Sequence, residues 1–202
     1  VGTLSVQAAE SAFAEQARAL AEGGADVIWL ETMSSKEELQ AAGAGAAESG
    51  LPIVATMTFD TNGSTMMGVT PPLLVDIYRG TVPRLAAFGA NCGAGPAMLI
   101  DTVVGLCEAA HDDDVVIAKG NCGMPQMVDG KVQYSGTKEV MADYAKLARD
   151  CGARIVGGCC GTTPEILAYV VEAMRDYTPG DAPSREKIED VLGPIKVPPT
   201  GG

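Results

Sequence analysis

From residue 5 onward, segments with a helical repeat of apolar positions alternate with short apolar runs, the pattern of βα units laid around a parallel sheet. The apolar runs predict five strands, at 26–30, 52–59, 85–90, 114–118 and 154–157. Helices fill the intervals, beginning with one over 5–22 that precedes the first strand. Ser34-Ser35-Lys36-Glu37 has the form of a capping box opening a helix toward Glu48, and Thr163-Pro164-Glu165 places a cap, a first-turn proline and a first-turn acid before a helix at 166–175. Gly23-Gly24, Ser49-Gly50 and Cys151-Gly152 each close a helix ahead of the next strand. After Tyr177 come Pro and Gly, a short amphipathic run to Leu192, and a Pro-rich end. The expected organisation is therefore one α/β domain over 1–177 and a surface tail over 178–202.

Five strands in βα alternation fit either an open doubly wound sheet or part of an eight-stranded barrel. Neither G-x-G-x-x-G nor G-x-x-x-x-G-K-S/T follows the first strand or occurs elsewhere, which disfavours the nucleotide-binding open sheet. The expectation is a (β/α)8 TIM barrel, present as an N-terminally truncated part of about five βα units. In such a barrel the C-terminal strand ends share one face, where active sites are built. Glu31 follows the first strand, Cys92 the third, and Cys159 and Cys160 the fifth.

The 202 residues are 47% hydrophobic, enough for a sizeable core. With 14 Lys and Arg against 26 Asp and Glu, the net charge of -12 argues against a nucleic-acid partner. The apolar runs are too short to span a bilayer. The composition reads as a cytoplasmic protein with reduced thiols. The chain opens on Val and enters a helix almost at once, so a natural start upstream is expected. Five parallel strands without closing neighbours leave two open edges, and self-association is expected with them.

The segment Gly157-Gly158-Cys159-Cys160-Gly161, with Gly89-Ala90-Asn91-Cys92 upstream, carries the candidate chemistry. Three cysteines offer three soft ligands, one short of a tetrahedral zinc, and flanking glycines let vicinal cysteines reach one ion. The alternative is that free cysteines are small buried hydrophobes, which is the reading for Cys107, Cys122 and Cys151. His111, before three aspartates, reads as a surface residue at a helix end rather than a fourth ligand. Zinc bearing three thiolates is a poor Lewis acid for water, and its natural substrate is a thiol, which coordination keeps deprotonated and nucleophilic. A carboxylate at Glu31 could neutralise an ammonium on the same face, or stand as a solvated loop acid. A thiol-disulfide role for Cys159 and Cys160 is a further alternative, disfavoured by the strain of a vicinal disulfide and the lack of Cys-x-x-Cys.

Gly89-Ala90-Asn91-Cys92 and Gly157-Gly158-Cys159-Cys160-Gly161 resemble the two zinc signatures of the homocysteine S-methyltransferase family. These are (β/α)8 enzymes that include betaine-homocysteine methyltransferase and the homocysteine domain of cobalamin-dependent methionine synthase. The segments 59–68 and Lys119-Gly120-Asn121 look most like short single-domain bacterial members. The resemblance implies that Cys92, Cys159 and Cys160 hold Zn2+, that Glu31 in Trp29-Leu30-Glu31-Thr32 binds the amino group of L-homocysteine, and that the product is methionine. It also implies further βα units upstream, including an Asp-Gly substrate contact that this sequence lacks, and Ile166 stands where many members carry histidine. The methyl donor stays open among betaine, a sulfonium and a methylated corrinoid on a partner protein. Nine aromatics in all, three Phe, five Tyr and one Trp, make a betaine cage the less favoured choice. The second reading is a catalytically incomplete barrel fragment that binds zinc without turnover.

Overall fold

The computed structural model describes residues 4–195. Helix α1 (Val6–Glu22) leads into β1 (Ile28–Met33), followed by α2 (Lys36–Ala46), β2 (Ile53–Met57), α3 (Pro71–Gly80), β3 (Ala87–Cys92), α4 (Pro96–Ala109) and β4 (Val116–Gly120). A hairpin of β5 (Pro125–Val128) and β6 (Lys131–Tyr134) intervenes before α5 (Lys138–Asp150), β7 (Ile155–Gly158), α6 (Pro164–Met174) and α7 (Arg185–Leu192).

Strands β1, β2, β3, β4 and β7 form one parallel sheet in that order. Each step between neighbours passes through a helix, and the order never reverses. A doubly wound sheet reverses at a switch point, whereas a barrel adds each strand beside the last. The sheet is a five-stranded part of a TIM-barrel-like fold. No helix among the described residues is long and apolar enough to cross a membrane.

Alternation along the strands sorts their side chains into two layers. Ile28, Leu30, Ile53, Ala55, Phe88, Ala90, Val116 and Ala118 face the helices and join one large core. Val54, Ala87 and Ile117 form a second cluster on the other face, with Trp29, Val115 and Ile155 packed beside it. Two residues further along their strands stand Glu31, Thr56, Gly89, Lys119 and Gly157. In a complete barrel this second face lines the interior, and the functional end lies just beyond it. The outer strands are open: β7 is half-buried along its whole length, and the neighbouring α6 exposes Leu167, Tyr169 and Val171.

Three predicted strands start two residues early. Polar Asp26 and Asp114 precede the pairing, and Leu85 lies outside it although it is buried. The capping box also sits one residue later than expected. Ser35 caps α2 and accepts from the Glu38 amide at 3.1 Å, while the Glu38 carboxylate accepts from the Ser34 amide at 2.8 Å. The segment after Tyr177, expected as a surface tail, docks on the domain. The Tyr177 hydroxyl donates to the Asp150 carboxylate at 2.8 Å, the Gly180 amide donates to it at 2.7 Å, and Ile188 of α7 is buried in the main core. Its Pro-rich end lies outside the described residues.

At the N-terminal end of the sheet, Asp114 ties three elements together. It accepts from Arg79 of α3 at 3.4 Å, from Arg84 ahead of β3 at 3.3 Å, and from the His111 amide after α4 at 2.9 Å. Burial alone would raise the Asp114 carboxyl, but the His111 amide and the Arg79 guanidinium outweigh it and hold it below the usual carboxylate range. Asp114→Asn is expected to cost about 2 kcal/mol, read as a lower urea midpoint. Because the folded pKa is lowered, this contribution is present above the ordinary Asp range and is lost as pH falls through the folded value. The wild type should therefore lose its advantage over the variant in acid, and equal midpoints at neutral pH would contradict the anchoring role.

Candidate metal centre

The end of β3 and the end of β7 converge on three sulfurs. Cys92 Sγ approaches Cys159 Sγ to 2.7 Å and Cys160 Sγ to 3.8 Å, and Cys159 and Cys160 stand 4.0 Å apart. Ligands about 2.3 Å from a tetrahedral zinc lie roughly 3.8 Å from one another, so two of the three separations already suit one ion, and the third needs about 1 Å of opening. This is the one group of three or more potential ligands found together among the described residues. Burial first, and the neighbouring Cys159 second, push the Cys92 thiol up to about 12. The protein alone therefore resists ionising Cys92, and a bound cation would reverse that balance.

Backbone geometry brings the sulfurs together. Cys92 has φ 57°, a left-handed conformation that costs a non-glycine residue about 1 kcal/mol. Two hydrogen bonds at the next residue hold it there: the Gly93 amide donates to Thr58 Oγ1 at 3.2 Å, and Asn121 Nδ2 donates to the Gly93 carbonyl at 2.9 Å. Through its other amide atom, Asn121 Oδ1 accepts from the Cys160 N–H at 3.2 Å. One buried side chain thus clamps both cysteine loops. Asn91 is fully buried and donates through Nδ2 to Thr32 Oγ1 at 2.7 Å, while its Oδ1 has no partner.

Beyond β7, the Cys159 amide donates to the Gly120 carbonyl at 2.7 Å and the Cys122 amide to the Cys160 carbonyl at 2.9 Å. Beneath this crossing lies Tyr144 of α5, fully buried, with its hydroxyl 3.4 Å from the Gly157 carbonyl. A Cβ at Gly120 would fall 2.8 Å from the Tyr144 ring, so glycine is what allows the helix to seat against the strand end. From above, Tyr134 at the end of β6 covers the cysteine turn. The neighbouring Cys160 pushes the Tyr134 hydroxyl pKa up.

Glu31 reaches the same end of the sheet but is not free. Both its carboxylate oxygens accept from Lys119 Nζ, at 2.7 and 2.8 Å. The thiols of the other cysteines are not part of the cluster. Burial pushes Cys107 up to about 11 and Cys151 up to about 12, and Cys122 is buried in the core, as expected of inert thiols. His111 is exposed beyond α4, at the opposite end of β4. Asn121, Tyr134 and Lys119 had no role assigned from sequence. For Tyr134 a signal existed: Asp129-Gly130 between Met127-Val128 and Lys131-Val132 is a two-residue hairpin turn.

The family model described as homocysteine S-methyltransferase matches residues 1–174. The chain belongs to this family. Methionine synthase of Mycobacterium leprae is 27% identical across 93% of this chain, which covers 16% of that protein. The homocysteine methyltransferase MmuM from Escherichia coli superposes in its apo form with a TM-score of 0.68 at 23% identity, over 84% of this chain and 57% of the other. Its oxidised form gives 0.64 at 23% identity, over 81% and 52%. At this identity the two solved structures speak for the fold. The chain spans little more than half of their length.

Gly161 separates the cysteine pair from α6 and tests the packing described. It has φ 78°, and a Cβ there would overlap the Tyr134 ring. Gly130, in the hairpin turn, has φ 72° but open space around it. Gly161→Ala is expected to cost at least about 2 kcal/mol, combining backbone strain with overpacking, and Gly130→Ala only about 1 kcal/mol. Chemical denaturation of both variants checks this, and equal losses would mean that Tyr134 does not press on the cysteine turn.

Proposed function

We propose that this chain transfers a methyl group to the thiol of L-homocysteine, giving methionine, at a zinc ion held by Cys92, Cys159 and Cys160. The observation that carries the reading is the convergence of three sulfurs from two distant strand ends within one ligand shell. Family membership supplies the reaction class. The donor set is soft and three in number, which fits zinc with one position left for a substrate sulfur. When bound, zinc would lower the pKa of a thiol so that it is nucleophilic at neutral pH.

The chain's own residues then bind and orient. Asn121 fixes the two cysteine loops against each other, Tyr144 supports them from below, and Tyr134 shields one side from water. Glu31 accepts from the substrate ammonium. In the reaction the substrate thiol loses its proton to solvent, a sulfur–methyl bond forms, and the bond between methyl and donor breaks. Positioning donor and sulfur in line is the catalytic contribution left to the protein. A sulfonium or a methylated corrinoid carried by another protein is the preferred donor, because a quaternary-ammonium cage needs aromatics. Association with a second copy through the open strand edges belongs to the same proposal, as does a cytoplasmic location.

The alternative reading is a catalytically incomplete barrel fragment that binds zinc at the three cysteines without turnover.

The reduced chain is expected to bind one zinc, with Cys92→Ser, Cys159→Ser and Cys160→Ser each weakening it at least about tenfold and Cys107→Ser leaving it unchanged. Since thiol protons must leave on binding and Cys92 holds its proton up to about 12, zinc affinity should rise with pH across the neutral range. Competition with a chromophoric chelator reads both effects. Labelled methyl transfer to homocysteine, lost on chelation, would establish turnover. Zinc retained with no transfer from any of the three donor classes would favour the fragment.

A further inference from the structure

We infer that Glu31 and Lys119 together form a receptor for the zwitterionic head of an α-amino acid, Glu31 taking the ammonium and Lys119 the carboxylate. Lys119 would then determine specificity for an amino-acid thiol. The inference rests on the homocysteine reading above and names a residue that reading does not use.

Glu31 lies on β1 and Lys119 on β4, with β2 and β3 between them. In a flat sheet those strands would be about 14 Å apart with side chains standing perpendicular, so the contact requires the sheet to curl. The pair spans the inner face of that curl. Among the described ion pairs it is the only one with both partners on sheet strands; the others lie on helices or at the opposite end of the sheet. Opposite charges beside the apolar layer of Trp29, Val54 and Ile117 add no apolar burial to it.

Placement ties the pair to the sulfurs. Lys119 is two residues before Asn121, the residue clamping both cysteine loops. It is in register with Asn91 on one side, which precedes Cys92, and with Gly157 on the other, two residues before Cys159. Next to Glu31, Thr32 accepts from Asn91. A thiol with two methylenes between sulfur and α-carbon, reaching the cysteines with its sulfur, would bring its head group back to this part of the sheet.

The pair is accessible and has bonding capacity left. Side-chain exposure is 23% for Lys119 and 38% for Glu31, so neither is sealed off. Lys119 Nζ carries three protons, of which two are engaged by Glu31, and it sits 5.1 Å above the Trp29 ring, which holds it from the other side. Trp29 is itself held by a bond from Nε1 to Thr56 Oγ1 at 3.4 Å. A carboxylate can accept the remaining lysine proton, and an ammonium can donate to the free lone pairs of Glu31, giving four alternating charges. A neutral receptor of this kind matches a zwitterion, and a ligand with only one of the two charges leaves a receptor group unmatched.

The test is calorimetric titration of the zinc-loaded full chain with three thiols: L-homocysteine, 3-aminopropane-1-thiol, which lacks the carboxylate, and 4-mercaptobutanoate, which lacks the ammonium. Wild type should bind homocysteine at least about tenfold more tightly than either analogue. Lys119→Met should erase the advantage over 3-aminopropane-1-thiol, Glu31→Gln the advantage over 4-mercaptobutanoate, and Lys119→Arg should keep most of it. Wild type that binds the decarboxylated thiol as well as homocysteine overturns the inference without any variant. So does a Lys119→Met protein that keeps the homocysteine preference, or that weakens all three thiols equally. If zinc-loaded wild type binds no thiol, the homocysteine reading itself fails and takes this inference with it.

Discussion

Everything at the functional end of this molecule depends on holding three sulfurs from two separate strand ends in one small volume. Thiols packed this closely gain little from one another, and burial makes Cys92 harder to ionise. The backbone nevertheless accepts a left-handed cysteine and a close glycine crossing to bring them together. A convergence that costs conformational energy and yields no apolar burial favours the proposed metal site over a packing role. The clamp at Asn121, the buried ring of Tyr144 and the lid-like Tyr134 all act on this one constraint.

The sheet supplies the constraint through its curl. Parallel strands added in order, with a helix after each, bring their C-terminal ends to a common face, and residues 67 or more apart in sequence become neighbours there. The same curl lets Glu31 of β1 meet Lys119 of β4 across two intervening strands. It also leaves an inner face whose apolar layer is thin, built from Val54, Ala87 and Ile117 with partly covered flanking residues. Stability accordingly resides in the helix-facing layer and in ties such as that of Asp114 at the opposite end.

The architecture was readable from the sequence because each strand is a compact apolar run bounded by helix caps. The cysteine cluster was readable because barrel strand ends share a face whatever their separation along the chain. Strand limits were less legible, since Asp26 and Asp114 precede pairing without breaking the apolar pattern that follows them. Lys119-Gly120-Asn121 stood out only as a family-like segment, and nothing in it showed a role: a lysine and an asparagine near a strand end are ordinary, and their partners lie on other strands. The docking of α7 through Ile188 depends on a groove between α4 and α5 that no local pattern describes. The hairpin at β5 and β6, by contrast, was marked by Asp129-Gly130 and could have been read.

The most direct test of the central claim is zinc X-ray absorption on the reduced chain, with and without L-homocysteine, counting sulfur neighbours. Three sulfurs, from Cys92, Cys159 and Cys160, are expected, rising to four when homocysteine is added. A zinc site whose sulfur count does not change with homocysteine, or a reduced chain that takes up no zinc, would contradict it.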